Sequence, residues 1–125
     1  MIYRCVDLIP LERLLSSIKD KQFPVQTQYK FLKINKIIRD ELGVVEEQRR
    51  MILDSYAELD EKGRLILGPD GGIKIKNECI EECAQKMIEL NGLEIQIPDI
   101  YFSLDELEPI GLTLGQLELL EPFIK

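Results

Sequence analysis

Four basic side chains in the first third of the chain have the types and spacing that come closest to a binding site. Lys30, Lys33, Lys36 and Arg39 recur at every third position and follow shortly after Thr27. In the first turns of a helix such cations oppose the helix dipole, and free backbone N–H groups there can bind an anion. The sequence therefore predicts a candidate binding surface, called here the basic face, at Thr27, Lys30, Lys33, Lys36 and Arg39.

Three interpretations of the basic face are open from the sequence. The cations are merely hydrated, because exposed charges of unfavourable sign cost only about a few tenths of a kcal/mol on a helix. Alternatively they contact a protein surface, for which the acidic last third of this chain is the nearest candidate. In the third interpretation they hold an anionic small molecule that carries phosphate.

No catalytic or metal-binding constellation accompanies the basic face. The chain contains no histidine, so Ser–His and Cys–His catalytic pairs are excluded. Cys79 and Cys83 lie four residues apart, but zinc prefers four ligands, and with Cys5 the thiols are odd in number. We therefore expect a protein that is not an enzyme and that has neither a metal nor a cofactor.

One long helix is expected to position the basic face. Apolar residues recur every seven positions in two adjacent rows, which keeps one edge of a helix facing a partner surface. The pattern predicts a helix from about Val25 to about Glu58, part of which contacts a second chain. The rows are Phe31, Ile38, Val45, Ile52 and Leu59, and Ile37, Val44 and Met51.

Shorter elements are predicted around this helix. The segments 64–67 and 73–76 flank the turn residues 68–72 and predict a β-hairpin, to which the alternating residues 93–97 would add a third strand. The predicted fold class is α+β and mostly helical, with a long central helix packed against shorter helices and a small antiparallel sheet built on the hairpin. At 125 residues the chain is expected to be a single domain. The shorter helices are predicted at 7–20 and 77–91 and after the capping-box residues Ser103 and Thr113.

The net charge and the hydropathy of the chain disfavour some classes of binding partner. The net charge of −7 disfavours general affinity for nucleic acid, although the first third of the chain is basic and the last third acidic. No apolar run approaches the roughly 20 residues of a membrane span, and the first residues lack the apolar centre of a signal peptide. We therefore expect a cytoplasmic protein with no membrane partner.

Several segments, in order along nearly the whole chain, carry a resemblance to a known family. These segments are 8–10, 23–30, 56–63, 71–75, 94–97 and 120–124. With them the chain resembles a family of small uncharacterised proteins encoded by phages and prophages of Gram-positive bacteria. The resemblance implies a phage setting in the cytoplasm of a bacterial host, and it supplies no activity and no catalytic residues.

Two functions from different classes follow as expectations. The first is a non-enzymatic homo-oligomeric phage or prophage protein that acts through protein–protein interaction, either as an assembly accessory or as a regulator of a host protein. The second is a protein that binds or sequesters a small molecule, such as a nucleotide signal, and so counters host defence. The apolar stripe of the long helix favours the first, and the basic face near Thr27 is the support for the second.

Overall fold

Two compact units make up the computed structural model, which describes residues 1–125. The first unit contains Met1–Leu42 and Glu94–Lys125, and the second contains Gly43–Leu93. The sequence predicts a single domain over residues 1–125, and the division into two compact units does not test that prediction. The elements are β1 (Ile2–Arg4), α1 (Cys5–Ile18), α2 (Val25–Tyr56), α3 (Ile80–Asn91), β2 (Glu94–Gln96), α4 (Leu104–Leu107) and α5 (Leu114–Leu120).

The fold class is α+β and mostly helical, as predicted. The long helix α2 begins at Val25 and ends at Tyr56, within two residues of the expected end. Of its apolar stripe, Phe31, Ile38 and Val45 are buried, which confirms the phase of the helix over these turns. Val44, in the adjacent row, is 59% exposed, so the buried edge is narrower than the sequence pattern.

The core of the first unit lies between α1, the first half of α2 and the C-terminal segments. Leu11, Leu14 and Leu15 of α1 are buried at helical spacing. On α2, the ring of Phe31 stacks on the ring of Phe102 with centroids 4.4 Å apart. Full burial of each such side chain stabilises a fold by about 1.5–3 kcal/mol, so this core holds α2 in place within its unit.

The sheet of the first unit pairs β1 with β2 in antiparallel register, with Tyr3 opposite Ile95. The prediction that residues 93–97 would extend the hairpin was therefore wrong about the partner. Alternation identifies a strand with one buried face, but it carries no information about which strand lies beside it. Ile95 and Ile97 point into the core of the first unit, and the N–H of Ile97 donates to the Met1 carbonyl at 2.7 Å.

In the second unit the hairpin pairs with the segment that follows α2. The N–H of Glu58 donates to the Lys74 carbonyl, that of Lys74 to the Ile66 carbonyl, and that of Ile66 to the Glu58 carbonyl, at 2.8, 2.8 and 3.2 Å. These bonds close residues 57–59, 65–67 and 73–75 into a cycle, called here the three-segment ring. Two glycines with positive φ, Gly63 at 76° and Gly71 at 81°, allow the two turns that connect the segments.

The helix predicted over 77–91 forms as a 3₁₀ turn followed by α3. Cys83 is buried, and so is Leu90, seven residues later. Ile80 and Ile88, which are also apolar, are 51% and 65% exposed. The second unit has too few elements to cover all of the apolar side of α3, so part of that side is exposed to solvent.

Candidate functional site

The structure divides the basic face into a buried part and an exposed part. Thr27 is only 2% exposed, and the side chain of Lys30 is partly buried. Lys33, Lys36 and Arg39 are exposed. The five residues predicted as one binding surface therefore have two different environments.

The buried part contacts a single carboxylate. Lys30 Nζ donates to both oxygens of Glu106, at 2.8 Å to Oε1 and 3.0 Å to Oε2. Thr27 Oγ1 donates to Oε2 of the same group at 3.1 Å. Glu106, a residue of the acidic last third of the chain, thus lies at the position where the third interpretation would place an external anion.

Glu106 is held in this position by the helix cap of α4. The N–H of Ser103 donates to Glu106 Oε1 at 3.1 Å, and the N–H of Glu106 donates back to Ser103 Oγ at 3.2 Å. This reciprocal pair is the capping box that the sequence predicted at Ser103. The hydrogen bonds from Lys30 and then from the Ser103 backbone lower the pKa of Glu106, so the carboxylate is charged at neutral pH.

An aromatic ring completes the environment of Lys30. Its ammonium lies 5.5 Å from the centroid of the Phe102 ring, and Phe102 is 1% exposed. A cation near a ring face and a paired carboxylate is stabilised by both. The cap at Ser103 was predictable from the sequence, and so was the acidic last third as a candidate partner of the basic face. The specific pairing of Glu106 with Lys30 was not predictable, because the two residues are 76 positions apart.

The exposed part of the basic face has no partner within the chain other than an aromatic ring. Lys33 Nζ lies 4.5 Å from the centroid of the Tyr29 ring, which is itself 56% exposed. The side chains of Lys36 and Arg39 make no hydrogen bond or ion pair. Lys33, Lys36 and Arg39 are therefore the residues of the basic face that remain accessible to another molecule.

A second candidate surface is the apolar exterior of the second unit. Only four of its apolar side chains are buried, while eight large ones are exposed. The first unit has the opposite balance, with sixteen buried and eight exposed. In the second unit the buried side chains are Val45, Ala57, Cys83 and Leu90, and the exposed ones are Val44, Met51, Leu59, Leu65, Leu67, Ile80, Ile88 and Leu93.

Three of these exposed side chains lie on one face of the three-segment ring. Leu59 pairs with Leu65 across an antiparallel bridge, so the two side chains share a face. Leu65 and Leu67 are two residues apart on one segment, which places them on the same face as well. Their exposed fractions are 51%, 44% and 64%, and these three side chains are called here the leucine patch.

The structure offers no cluster for metal chemistry, and the thiol of Cys83 is buried. No three His, Cys, Asp or Glu residues lie close enough together to hold a metal ion. Burial raises the pKa of Cys83, which keeps the thiol protonated and weakly nucleophilic. No helix has the length and apolar character needed to cross a membrane.

Comparison with known proteins identifies no relative of this chain. No family model, no curated protein and no solved structure matches this chain. The function is therefore inferred from the two surfaces described above.

Proposed function

We propose that this protein is a non-enzymatic phage or prophage protein that works through protein–protein interaction as an oligomer, either as an assembly accessory or as a regulator of a host protein. The phage setting rests on the resemblance described from the sequence. The observation that carries the proposed interaction is the balance of the second unit, where eight large apolar side chains are exposed and only four apolar side chains of any size are buried.

Such a balance is unfavourable for a unit that remains alone in water. Each large apolar side chain contributes about 1.5–3 kcal/mol when it is fully removed from water. Monomeric proteins rarely expose contiguous apolar patches of more than a few hundred Å², and larger ones mark interaction sites. Covering the leucine patch with a second copy of the chain would supply the burial that the second unit lacks.

The geometry of the ring favours association through side chains over strand addition. At the level of Glu58, Ile66 and Lys74 every backbone N–H and carbonyl in the cycle is paired within the chain. A closed arrangement leaves no free strand edge there for another chain to extend. On α2, Val44 and Met51 are both exposed and lie seven residues apart, which is the spacing of a helix–helix seam.

The oligomeric mass in solution tests this proposal. We expect light scattering at about 50 µM to give a multiple of the 14.5 kDa chain mass, and Leu67→Asp to shift the mass towards the monomer because it places a charge in the apolar contact. Leu104→Asp is the matched control, since Leu104 is also a leucine with 64% exposure but lies in the first unit. A monomeric wild type, or equal effects of the two variants, would contradict association through the leucine patch.

The alternative function, binding of a nucleotide signal, has less support than the sequence suggested. Glu106 already neutralises Lys30 and bonds to Thr27, which leaves Lys33, Lys36 and Arg39 for a phosphate-bearing ligand. A ligand present at 100 times its Kd would add about 2.7 kcal/mol to the stability. A nucleotide-induced rise in melting temperature that is lost in Lys36→Glu would therefore favour this alternative.

A further inference from the structure

The solvent-facing side of α2 carries four large apolar side chains whose spacing is the same when it is read from either end. Val25 and Leu32 lie seven residues apart in the first half of the helix. Val44 and Met51 lie seven residues apart in the second half. Their exposed fractions are 79%, 59%, 59% and 56%, so the chain itself leaves all four uncovered. In a two-fold pair, residue i of one copy contacts residue j of the other and j contacts i, so spacing that reads alike in both directions suits self-pairing.

One antiparallel register gives each of these side chains an apolar neighbour. It places Val25 of one copy at the level of Met51 of the other. Leu32 then stands at the level of Val44, because the two spacings are equal. The two-fold axis crosses the pair at the level of Ile38, and the helices overlap from Val25 to Met51, over roughly 40 Å at 1.5 Å per residue. Two helices that cross at a shallow angle can pack such side chains against each other.

The charges of α2 are segregated in the way that an antiparallel pair requires. Residues 25–39 include four basic residues and no acidic one, whereas residues 40–56 include five acidic residues and two basic ones. An antiparallel pair places the basic half of each copy over the acidic half of the other. A parallel pair would place like charges together, which is unfavourable. Charge complementarity therefore favours a second copy of this chain, in the antiparallel direction, as the partner of this face.

The same register pairs charges that have no partner within the chain. Lys36 of one copy stands at the level of Asp40 of the other, once on each side of the two-fold axis. Both side chains are exposed, and neither forms an ion pair in its own chain. Tyr29, which is 56% exposed, stands at the level of Glu47, whose carboxylate accepts hydrogen bonds. No like charges stand opposite each other at any level of the overlap.

We propose that the exposed face of α2 binds a second copy of this chain, which lies antiparallel across it with Lys36 of each copy paired with Asp40 of the other. This inference rests on the proposed function, because it names one surface through which the oligomer forms. The surface is distinct from the leucine patch, whose three residues lie on the three-segment ring and not on α2.

A charge swap tests this register. We expect Lys36→Asp and Asp40→Lys each to weaken association by about tenfold, because each variant sets like charges opposite each other twice. The double variant restores both ion pairs, so its Kd should return to within about threefold of the wild type. Sedimentation equilibrium measures the Kd, and circular dichroism establishes that each variant is folded.

Glu41→Lys is the matched control for Asp40→Lys. Glu41 is also an exposed acidic residue without an ion pair, but it lies about 100° further round the helix, away from the proposed contact. The charge change is the same in the two variants, so a general effect of net charge would appear in both. We expect the Kd of Glu41→Lys to stay within about twofold of the wild type.

Chemical cross-linking detects the same contact without reference to the total mass. Cys79→Ser removes the one native thiol that is partly exposed, and Leu32→Cys and Val44→Cys are then made in separate chains. A short bismaleimide should cross-link a mixture of the two chains, because these positions stand at the same level. Neither chain alone should cross-link well, since two copies of one position are offset by 12 residues, roughly 18 Å at 1.5 Å per residue.

Two results would overturn the α2 contact. One is association of both single charge variants at the strength of the wild type, and the other is cross-linking of either cysteine chain alone as efficiently as the mixture. After either result, an oligomeric wild type whose mass falls in Leu67→Asp would leave the proposed function standing. A wild type that is monomeric in light scattering would contradict the proposed function, and the α2 contact with it.

Discussion

Lys30 and Glu106 form an ion pair in which one ammonium donates to both carboxylate oxygens, at 2.8 and 3.0 Å. The pair connects the first turns of α2 to α4, and Thr27 adds a third hydrogen bond to the same carboxylate. Its side chains are 33% and 25% exposed, so water screens the charges only in part. Because its two charges are partly shielded from water, the ion pair stabilises the folded state.

We predict that Glu106→Gln lowers the free energy of unfolding by about 1–2 kcal/mol. Glutamine keeps the shape of the side chain but removes the charge, so Lys30 and Thr27 compete for a single weaker acceptor. Urea denaturation followed by circular dichroism measures the change. Asp105→Asn is the matched control in the same turn, because Asp105 is exposed and makes no ion pair, and we expect a change below about 0.5 kcal/mol. Similar losses in the two variants would mean that the ion pair is not the source of the effect.

The lowered pKa of Glu106 predicts a pH dependence with a definite sign. The hydrogen bonds from Lys30 and Ser103 lower the pKa in the folded state, so below the ordinary glutamate pKa of about 4.3 the unfolded chain binds more protons than the folded one. The contribution of the pair is therefore present above that pH and is lost as the pH falls through the folded-state pKa. Unfolding free energies at pH 7 and pH 3 should show the gap between wild type and Glu106→Gln closing at low pH. A gap that is constant or that widens would contradict this assignment.

The long helix was predictable because its signal is local. Phe31, Ile38 and Val45 repeat every seven residues, and a helix converts that period directly into one buried edge. The cap at Ser103 was visible for the same reason, since donor and acceptor are three residues apart. Both features depend only on neighbours along the chain.

The contacts that decide the candidate sites were not predictable because they join distant positions. Glu106 contacts Lys30 across 76 residues, and nothing in the spacing of either residue specifies the other. The strand at residues 93–97 was correctly placed, but its partner is β1 rather than the hairpin, because alternation defines a face and not a neighbour. Which distant segments pair depends on how the whole chain packs, and the sequence pattern of a single segment carries no information about that packing.

The phase of α2 predicts a sharp contrast between two aspartate substitutions. Ile38 is 0% exposed, so Ile38→Asp buries an unpaired carboxylate and should lower the free energy of unfolding by more than about 3 kcal/mol. Lys33, five residues earlier, is exposed, and Lys33→Asp should cost less than about 1 kcal/mol through loss of its contact with the Tyr29 ring. Thermal and urea denaturation measure both variants. Equal effects at the two positions would show that the helix has a different phase.

Two glycines of the second unit, one inside α2 and one in a turn with positive φ, should give stability changes of opposite sign when each is replaced by alanine. Gly43 lies inside α2, and a Cβ there would meet no atom within 4 Å, so Gly43→Ala should raise the free energy of unfolding by about 0.5–1 kcal/mol through reduced entropy of the unfolded chain.

Gly63 also has open space for a Cβ, but its φ of 76° is a conformation that L-residues adopt at a cost. Gly63→Ala should therefore lower the free energy of unfolding by about 1–2 kcal/mol, and Gly63→Asn by less, because asparagine tolerates this region better. Urea denaturation of the three variants separates the effects, since space alone would make both alanine variants behave alike. A stabilising Gly63→Ala would show that the turn between Leu59 and Leu65 does not hold the left-handed conformation, and that the leucine patch is arranged differently.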